Sequence, residues 1–256
     1  MAYLSFTRNF EDVMINRALS QVPQGFFIDV GAYQPMADSN TFCLYQRGWR
    51  GMVVEPQTRF HRLWETQRPE DILVRGAVGN STGEVTFFEI AEREQNATTS
   101  EAIAAMHARE GKPVQQHTVQ QYTLTDLLLQ HRPSGDIHLL SVDVEGAELA
   151  VLQGLDRTRF RPWLIVLEST LPNRPQTNFD EWEPELLRTG YDFVYFDAVN
   201  RFYVAQEHAE LKQFFQHPPC VWDNFVDYRL VQAQQAAAKA QAELAQLKAT
   251  LRKLSE

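Results

Sequence analysis

Several apolar runs of this chain end in an acid, and those acids are the first candidates for chemistry. FFIDV brings Asp29 to the edge of Gly31, and GMVVE ends on Glu55 ahead of Pro56. Further along, LLSVDVEGAE carries Asp143, Glu145 and Glu148, and WLIVLE ends on Glu168. A carboxylate at the end of a buried strand is costly to desolvate unless a cation or a hydrogen-bond donor answers it, so its presence there points to a ligand.

The first two acids constrain that ligand. A dinucleotide turn needs G-x-G-x-x-G so that backbone and a helix N-terminus can approach a pyrophosphate. Here the turn reads Gly31-Ala32-Tyr33-Gln34-Pro35, with one glycine, and it begins with an acid. Asp29 repels phosphate but suits an ammonium or a sulfonium. Glu55 is placed to accept both hydroxyls of an adenosine ribose. Adenosine without phosphates points to S-adenosylmethionine (SAM) rather than NAD. The expected cofactor contacts in and beside this crossover are Asp29, Gly31, Ala32, Tyr33, Ser39, Glu55 and Pro56.

Methyl transfer to a hydroxyl requires an in-line approach to the sulfonium and removal of one proton. Asp143, Glu145 and Glu168 are the catalytic candidates, as a carboxylate base. Asp143 and Glu168 are also candidate ligands for Mg2+, which would lower the hydroxyl pKa, although two oxygens make only half such a site. Glu148 is expected to face a helix N-terminus. The seven histidines are scattered without ligand spacing, and His138, inside an apolar run, reads as a core residue. Asp197, Asn200 and Arg201, at the tip of a hairpin, are candidates to grip sugar hydroxyls.

Elements that would position these residues are legible in the apolar patterning. Residues 1–20 are expected to form an amphipathic helix. GFFIDVGA, WRGMVVEP, DILVRGAVGN, IHLLSVDVEG and RPWLIVLEST read as buried strands, because their apolar runs are continuous rather than alternating. SNTFCLYQRG reads as a helix capped by Ser39 or Asn40 and ended by Gly48, and TLTDLLLQH as a helix with a Thr123–Asp126 capping box. GEVTFFEI alternates like an edge or antiparallel strand. Ala91 to Gln116 is a polar surface excursion with one helical piece. YDFVYFDAVNRFYVA is a hairpin. The expected fold class is α/β: a doubly wound, mostly parallel sheet with an antiparallel terminal hairpin.

From Leu230 the composition shifts to Ala, Gln, Lys, Glu and Leu. Leu230, Ala233, Ala237, Ala240, Leu244, Leu247, Leu251 and Leu254 step by three and four, the spacing of a coiled-coil seam. Residues 1–228 are expected to form one domain and 229–256 a coiled-coil helix that joins a second copy or another protein.

FIDVGAYQP, GWRGMVVEP, LLSVDVEGAELAVLQGLD and RPWLIVLEST, in order between about Phe26 and Phe225, resemble the FkbM-type SAM-dependent methyltransferases. The resemblance implies a class I, Rossmann-like methyltransferase fold and O-methylation, often of sugar hydroxyls in glycans or natural products. It also implies that Asp29, Gly31 and Ala32 hold the methionine end of SAM, Glu55 the ribose, and that Ala77 and Val78 lie against the adenine.

The net charge of −9 argues against non-specific binding to nucleic acid or to anionic membranes. Cys43 and Cys220 are the only cysteines and form no short motif, so reduced thiols and a cytoplasmic location are expected. No stretch approaches the roughly 20 apolar residues of a membrane span. A reading from a different class is a non-catalytic, methyltransferase-like adaptor that presents its coiled coil to a larger assembly. Carboxylates aimed at an empty cleft speak against it.

Overall fold

The computed structural model describes residues 3–131 and 135–254. The chain opens with β1 (Tyr3–Ser5) and α1 (Glu11–Ala18), followed by β2 (Phe26–Val30), α2 (Phe42–Gln46), β3 (Arg50–Val54), α3 (Thr58–Gln67) and β4 (Ile72–Val74). Next come β5 (Ala77–Val78), β6 (Gly83–Ile90), α4 (Glu101–Arg109), β7 (Val114–Tyr122) and α5 (Leu124–His131). The remainder is β8 (Ile137–Val142), α6 (Glu148–Gln153), β9 (Pro162–Glu168), α7 (Glu183–Arg188), β10 (Tyr191–Phe196), β11 (Asn200–Ala205), β12 (Phe225–Asp227) and α8 (Tyr228–Leu254).

Seven strands form the main sheet in the order β10-β11-β9-β8-β2-β3-β4. Strands β4, β3, β2, β8 and β9 run parallel, while β11 lies antiparallel to β9 and β10 antiparallel to β11. Successive strands therefore move outward from β2 to β4, then return to β8 and move outward the other way. The carboxyl ends of β2 and β8 are left side by side with their connections diverging, which opens a crevice. Residues alternate between two cores. Ile28, Met52, Leu140 and Val142 pack toward Leu127 of α5, Val151 of α6 and Leu186 of α7. Phe27, Val53, Leu139 and Leu164 pack toward Ile15 of α1, Leu44 of α2 and Trp64 of α3. Strand β2 is buried along its whole length, Asp29 included, as the apolar residues around that acid require.

Four expectations are revised. The helix expected over residues 1–20 is confined to α1, because Tyr3–Ser5 pairs in parallel with Phe225–Asp227, a long-range pairing that local periodicity cannot announce. The link between β1 and α1 is tied down by the buried Asp12, which accepts from the Ser5 hydroxyl (2.6 Å), the Phe6 N–H (2.7 Å) and the Thr7 hydroxyl (2.9 Å). DILVRGAVGN divides, its first half in the main sheet and its second in a separate β5-β7-β6 sheet. The polar excursion contains α4 and the start of β7, whose VQQHTVQQY pairs antiparallel with β6 from Val114–Ile90 to Gln121–Gly83. In the α5 capping box, Thr123 Oγ1 accepts the Asp126 N–H (3.0 Å), but the Asp126 carboxylate takes the Thr82 hydroxyl (2.5 Å).

His138 is half-buried rather than in the core, its Nδ1 accepting from the Phe26 N–H at 3.2 Å between Trp49 and Trp163. Helix α8 is 27 residues long, and Leu230, Leu244 and Leu247 of its apolar stripe are more than half exposed. The side chain of Leu254 lies outside the described residues. Among the described residues no helix is long and apolar enough to cross a membrane.

Candidate active site at the strand ends

The crevice holds two adjoining spaces. A narrow slot is bordered by Val54, Glu55, Pro56, Gln57, Ala77, Val78 and Phe87. A wider cavity of about 500 Å³ is bordered by Asp29, Ala32, Ser39, Glu145, Glu168 and Asn200, with Arg8, Asn9 and Glu11 on its outer wall. Gly31, Tyr33 and Asp143 line both.

Backbone geometry makes the shared wall. Gly31 has φ 77°, and a Cβ there would fall 1.8 Å from the Asp143 carbonyl oxygen. Only glycine lets the turn after β2 pass the end of β8 this closely. The Gly31 and Ala32 N–H groups donate to the Val54 carbonyl (3.0 and 3.2 Å), and the Tyr33 N–H donates to Glu55 Oε2 (2.7 Å). Glu55 Oε1 accepts from the Gln57 N–H at 2.7 Å. Both oxygens of Glu55 thus already accept a backbone donor, which the sequence did not suggest. Each retains a second acceptor direction, and the residue still borders the slot. Burial pushes Glu55 up to about 8, against the pull of those two donors.

Asp29 is buried beneath the wide cavity, and its Oδ2 accepts from the Thr41 hydroxyl at 2.7 Å. Burial raises it to about 6, with Thr41 and Arg68 opposing the rise. Ser39 borders the same cavity but does not cap α2; its hydroxyl accepts from Arg68 Nη1 at 3.2 Å.

Beyond β8 the chain gathers three acids. Carboxylate oxygens of Asp143, Glu145 and Glu168 lie within 4.8 Å of one another. Asp143 is the member open to solvent in the crevice, and Glu145 is buried. Glu145 adopts φ 53°, a left-handed conformation that costs a non-glycine residue roughly 1–2 kcal/mol. It is held there by the Asn96 amide, 2.7 Å from its Oε1, and by the Thr98 hydroxyl, 2.8 Å from its carbonyl. Asn96 and Thr98 come from the polar stretch, which folds back over the acids instead of lying on the surface. Glu145 Oε2 and Glu168 Oε2 are buried without a hydrogen-bond partner. Removal from water and mutual repulsion push Glu145 and Glu168 well above the usual carboxylate range. Asp143 faces the open crevice, yet the protein packed around it raises it as well, while a hydrogen bond with Glu168 pulls it back. Glu148 accepts from the Gly146 N–H at 3.0 Å at the start of α6, as expected for a helix-terminal acid.

The three hairpin candidates separate. Asn200 points into the wide cavity, its amide donating to Glu11 Oε1 at 2.9 Å. Asp197 builds the turn, its Oδ1 accepting the Val199 and Asn200 N–H groups at 2.8 and 2.6 Å. Arg201 points away from the cavity, between Phe179 and Phe193, and binds Glu183 at 2.5 Å. Neighbouring residues on a strand face opposite sides, which separates Asn200 from Arg201. Sequence reasoning missed Glu11, Asn9, Asn96 and Gln57. Asn40, whose amide donates to the Ser141 hydroxyl at 3.0 Å beside the cavity, was read only as a cap.

The acids gather where the strand order reverses, the place at which open α/β sheets bind their ligands. The family model described as Methyltransferase FkbM domain matches residues 29–193, which include every residue that borders the slot. The chain belongs to the FkbM methyltransferase family. No curated protein and no solved structure matches it significantly.

Proposed function

We propose that the chain is a SAM-dependent O-methyltransferase with a doubly wound, Rossmann-like class I fold, acting on a hydroxyl of a sugar, glycan or related acceptor. The observation that carries the cofactor is the turn after β2. The N–H groups of Gly31, Ala32 and Tyr33 are all taken by Val54 and Glu55, so none of these three is left to cradle a phosphate, while acids stand on either side. That donor set fits adenosine and a methionine ammonium and does not fit a pyrophosphate. SAM supplies an electrophilic methyl group on its sulfonium. The slot beside Ala77 and Val78 takes the adenine, Glu55 the ribose, and Asp29 the ammonium. Asp143 accepts the acceptor's hydroxyl proton, and Glu168 orients Asp143 by its hydrogen bond.

Support for a polyhydroxylated acceptor comes from the wide cavity, which is bordered by five asparagines: Asn9, Asn40, Asn96, Asn173 and Asn200. An amide offers a donor and an acceptor side by side, which suits vicinal hydroxyls. The acid cluster also fits a second form of the chemistry. Three carboxylates that close offer oxygen ligands to Mg2+, one more than the sequence pairing of Asp143 with Glu168. Helix α8 is read as an association element that joins a second copy or another protein, because its exposed leucines want burial. The adaptor reading is weaker, since it leaves the paired acids unexplained.

Calorimetry tests the cofactor. SAM and S-adenosylhomocysteine are expected to bind, with Glu55→Ala at least tenfold weaker, a loss of about 1.4 kcal/mol. Binding of NAD without SAM would overturn the proposal. Methyl transfer from labelled SAM to a panel of glycans tests the acceptor class.

A further inference from the structure

Arg68 lies at the C-terminal end of α3, far in sequence from every acid of the site, and its side chain is wholly buried. It stands among the rings of Trp64, Tyr45 and Phe27, 4.6, 5.1 and 5.3 Å from their centroids. Asp71 holds its Nε at 2.7 Å. The other two nitrogens both reach Thr41 Oγ1 at 3.1 Å, and Nη1 also reaches Ser39 Oγ and the Pro35 carbonyl at 3.2 Å. A buried arginine needs one carboxylate to balance its charge, and Asp71 provides it. The second set of bonds therefore serves something else.

Its direction shows what. Arginine donates and never accepts, so Thr41 Oγ1 receives hydrogen from Arg68. The hydroxyl's own proton must point elsewhere, and Asp29 Oδ2 lies 2.7 Å away. Ser39 Oγ, at 3.4 Å, is the poorer acceptor. Thr41 is thereby locked as a donor to Asp29, an arrangement that favours the ionised acid. The charged groups that act on Asp29 are Arg68, which favours ionisation, and Asp143 and Asp71, which oppose it together with burial. We propose that Arg68, acting through the Thr41 hydroxyl, is a positioning residue that holds Asp29 as the carboxylate receiving the ammonium of the bound methionine moiety. This rests on the SAM reading above.

The test uses the full chain and two ligands: S-adenosylhomocysteine, which carries the ammonium, and 5′-methylthioadenosine, which lacks it. Thr41→Val keeps the shape and removes the relay. Loss of that charge-assisted bond leaves burial less opposed and raises Asp29 further. S-adenosylhomocysteine should then bind roughly three- to tenfold more weakly at pH 7 and recover most of that loss by pH 8.5. Methylthioadenosine should bind unchanged, and Thr41→Ser should match the parent. Should the valine variant not fold, Arg68→Lys, whose single ammonium cannot span Asp71 and Thr41 as the guanidinium does, should show a loss with the same pH dependence. An unchanged pH profile in a folded variant, or equal losses for both ligands, would overturn the proposal. If neither ligand binds the parent protein, the SAM reading itself fails and the relay falls with it.

Discussion

Gly31 and Asp143 meet backbone to backbone, so closely that a single added methyl group on Gly31 would lie 1.8 Å from the Asp143 carbonyl oxygen. Cofactor slot and acid cluster are thus two sides of one contact. Gly31→Ala must move β2 away from β8 or lose the turn, and is expected to abolish S-adenosylhomocysteine binding in calorimetry. Gly48→Ala is the control. It also has a positive φ, but nothing lies within 4 Å of its missing Cβ, so it should cost only about 1 kcal/mol of stability and leave binding intact.

Asp143→Asn and Glu168→Gln should each lower turnover by about 10²-fold, the usual scale of lost general-base assistance, with smaller effects on SAM affinity. Since Asp143 must be ionised and is raised above the ordinary carboxylate range, activity should climb with pH above that range. In the proposed arrangement a protonated Glu168 and a glutamine are both neutral donors to Asp143, so the pH at which residual activity rises in Glu168→Gln should stay near the parent's. EDTA distinguishes the two chemistries: activity lost on chelation and restored by Mg2+ supports the cation, and indifference supports a carboxylate acting alone.

Buried acids also set a pH dependence of stability. Glu55 is raised to about 8, and Glu11 and Glu148 to about 7. Folding therefore retains protons that the unfolded chain would release, so this stability is present below the ordinary carboxylate pKa and is lost as pH rises toward 8. Thermal midpoints should fall between pH 5 and pH 8, and the slope should flatten in Glu55→Gln.

Asn200 and Arg201 should part company under mutation. Asn200→Ala removes a cavity amide and the donor to Glu11 Oε1, so the acceptor KM should rise severalfold with SAM affinity unchanged. Arg201→Leu removes the guanidinium that donates to Glu183 and Tyr203 and leaves Glu183 only the Tyr203 hydroxyl, so the melting temperature should drop while KM holds.

Truncation tests the tail. Removal of residues beyond 230 should leave a folded, SAM-binding protein of lower mass by light scattering, if α8 carries the association. Removal beyond 224 takes β12 as well, and with it the Tyr228 ring 4.9 Å from Phe6; this shorter chain should melt several degrees lower. Unchanged mass per particle in the first variant would show that α8 holds no oligomer together.

What could be read in advance depended on where the side chains go. Strands β2, β3, β8 and β9 announce themselves because they are apolar on both faces. Strand β7 does not, because most of VQQHTVQQY is at least partly exposed and its pairing comes from β6 rather than from hydrophobic burial. Asp29, Glu55, Asp143 and Glu168 were conspicuous as acids ending apolar runs. Glu11 was not, since an acid in the first turn of a helix has an ordinary explanation; only the fold brings it to Asn200. Arg201 looked like a site residue because a charge near a hairpin tip is usually solvated. Its aromatic partners Phe179 and Phe193 had to be placed by α7 and β10 before that reading could change.

The pairing of β1 with β12 has a consequence for how the molecule comes into being. Tyr3 leaves the ribosome before any strand of the main sheet, yet its strand partner Phe225 emerges only after the whole main sheet has been made. The wall from Thr7 to Glu11 hangs from that pairing, so the side of the cavity assigned to the acceptor is the last to be completed. A nascent chain paused before residue 225 would carry its cofactor slot with an unfinished mouth. Closing so long a loop is paid for in entropy, and the acceptor side should therefore also be the first to open when the finished protein is heated.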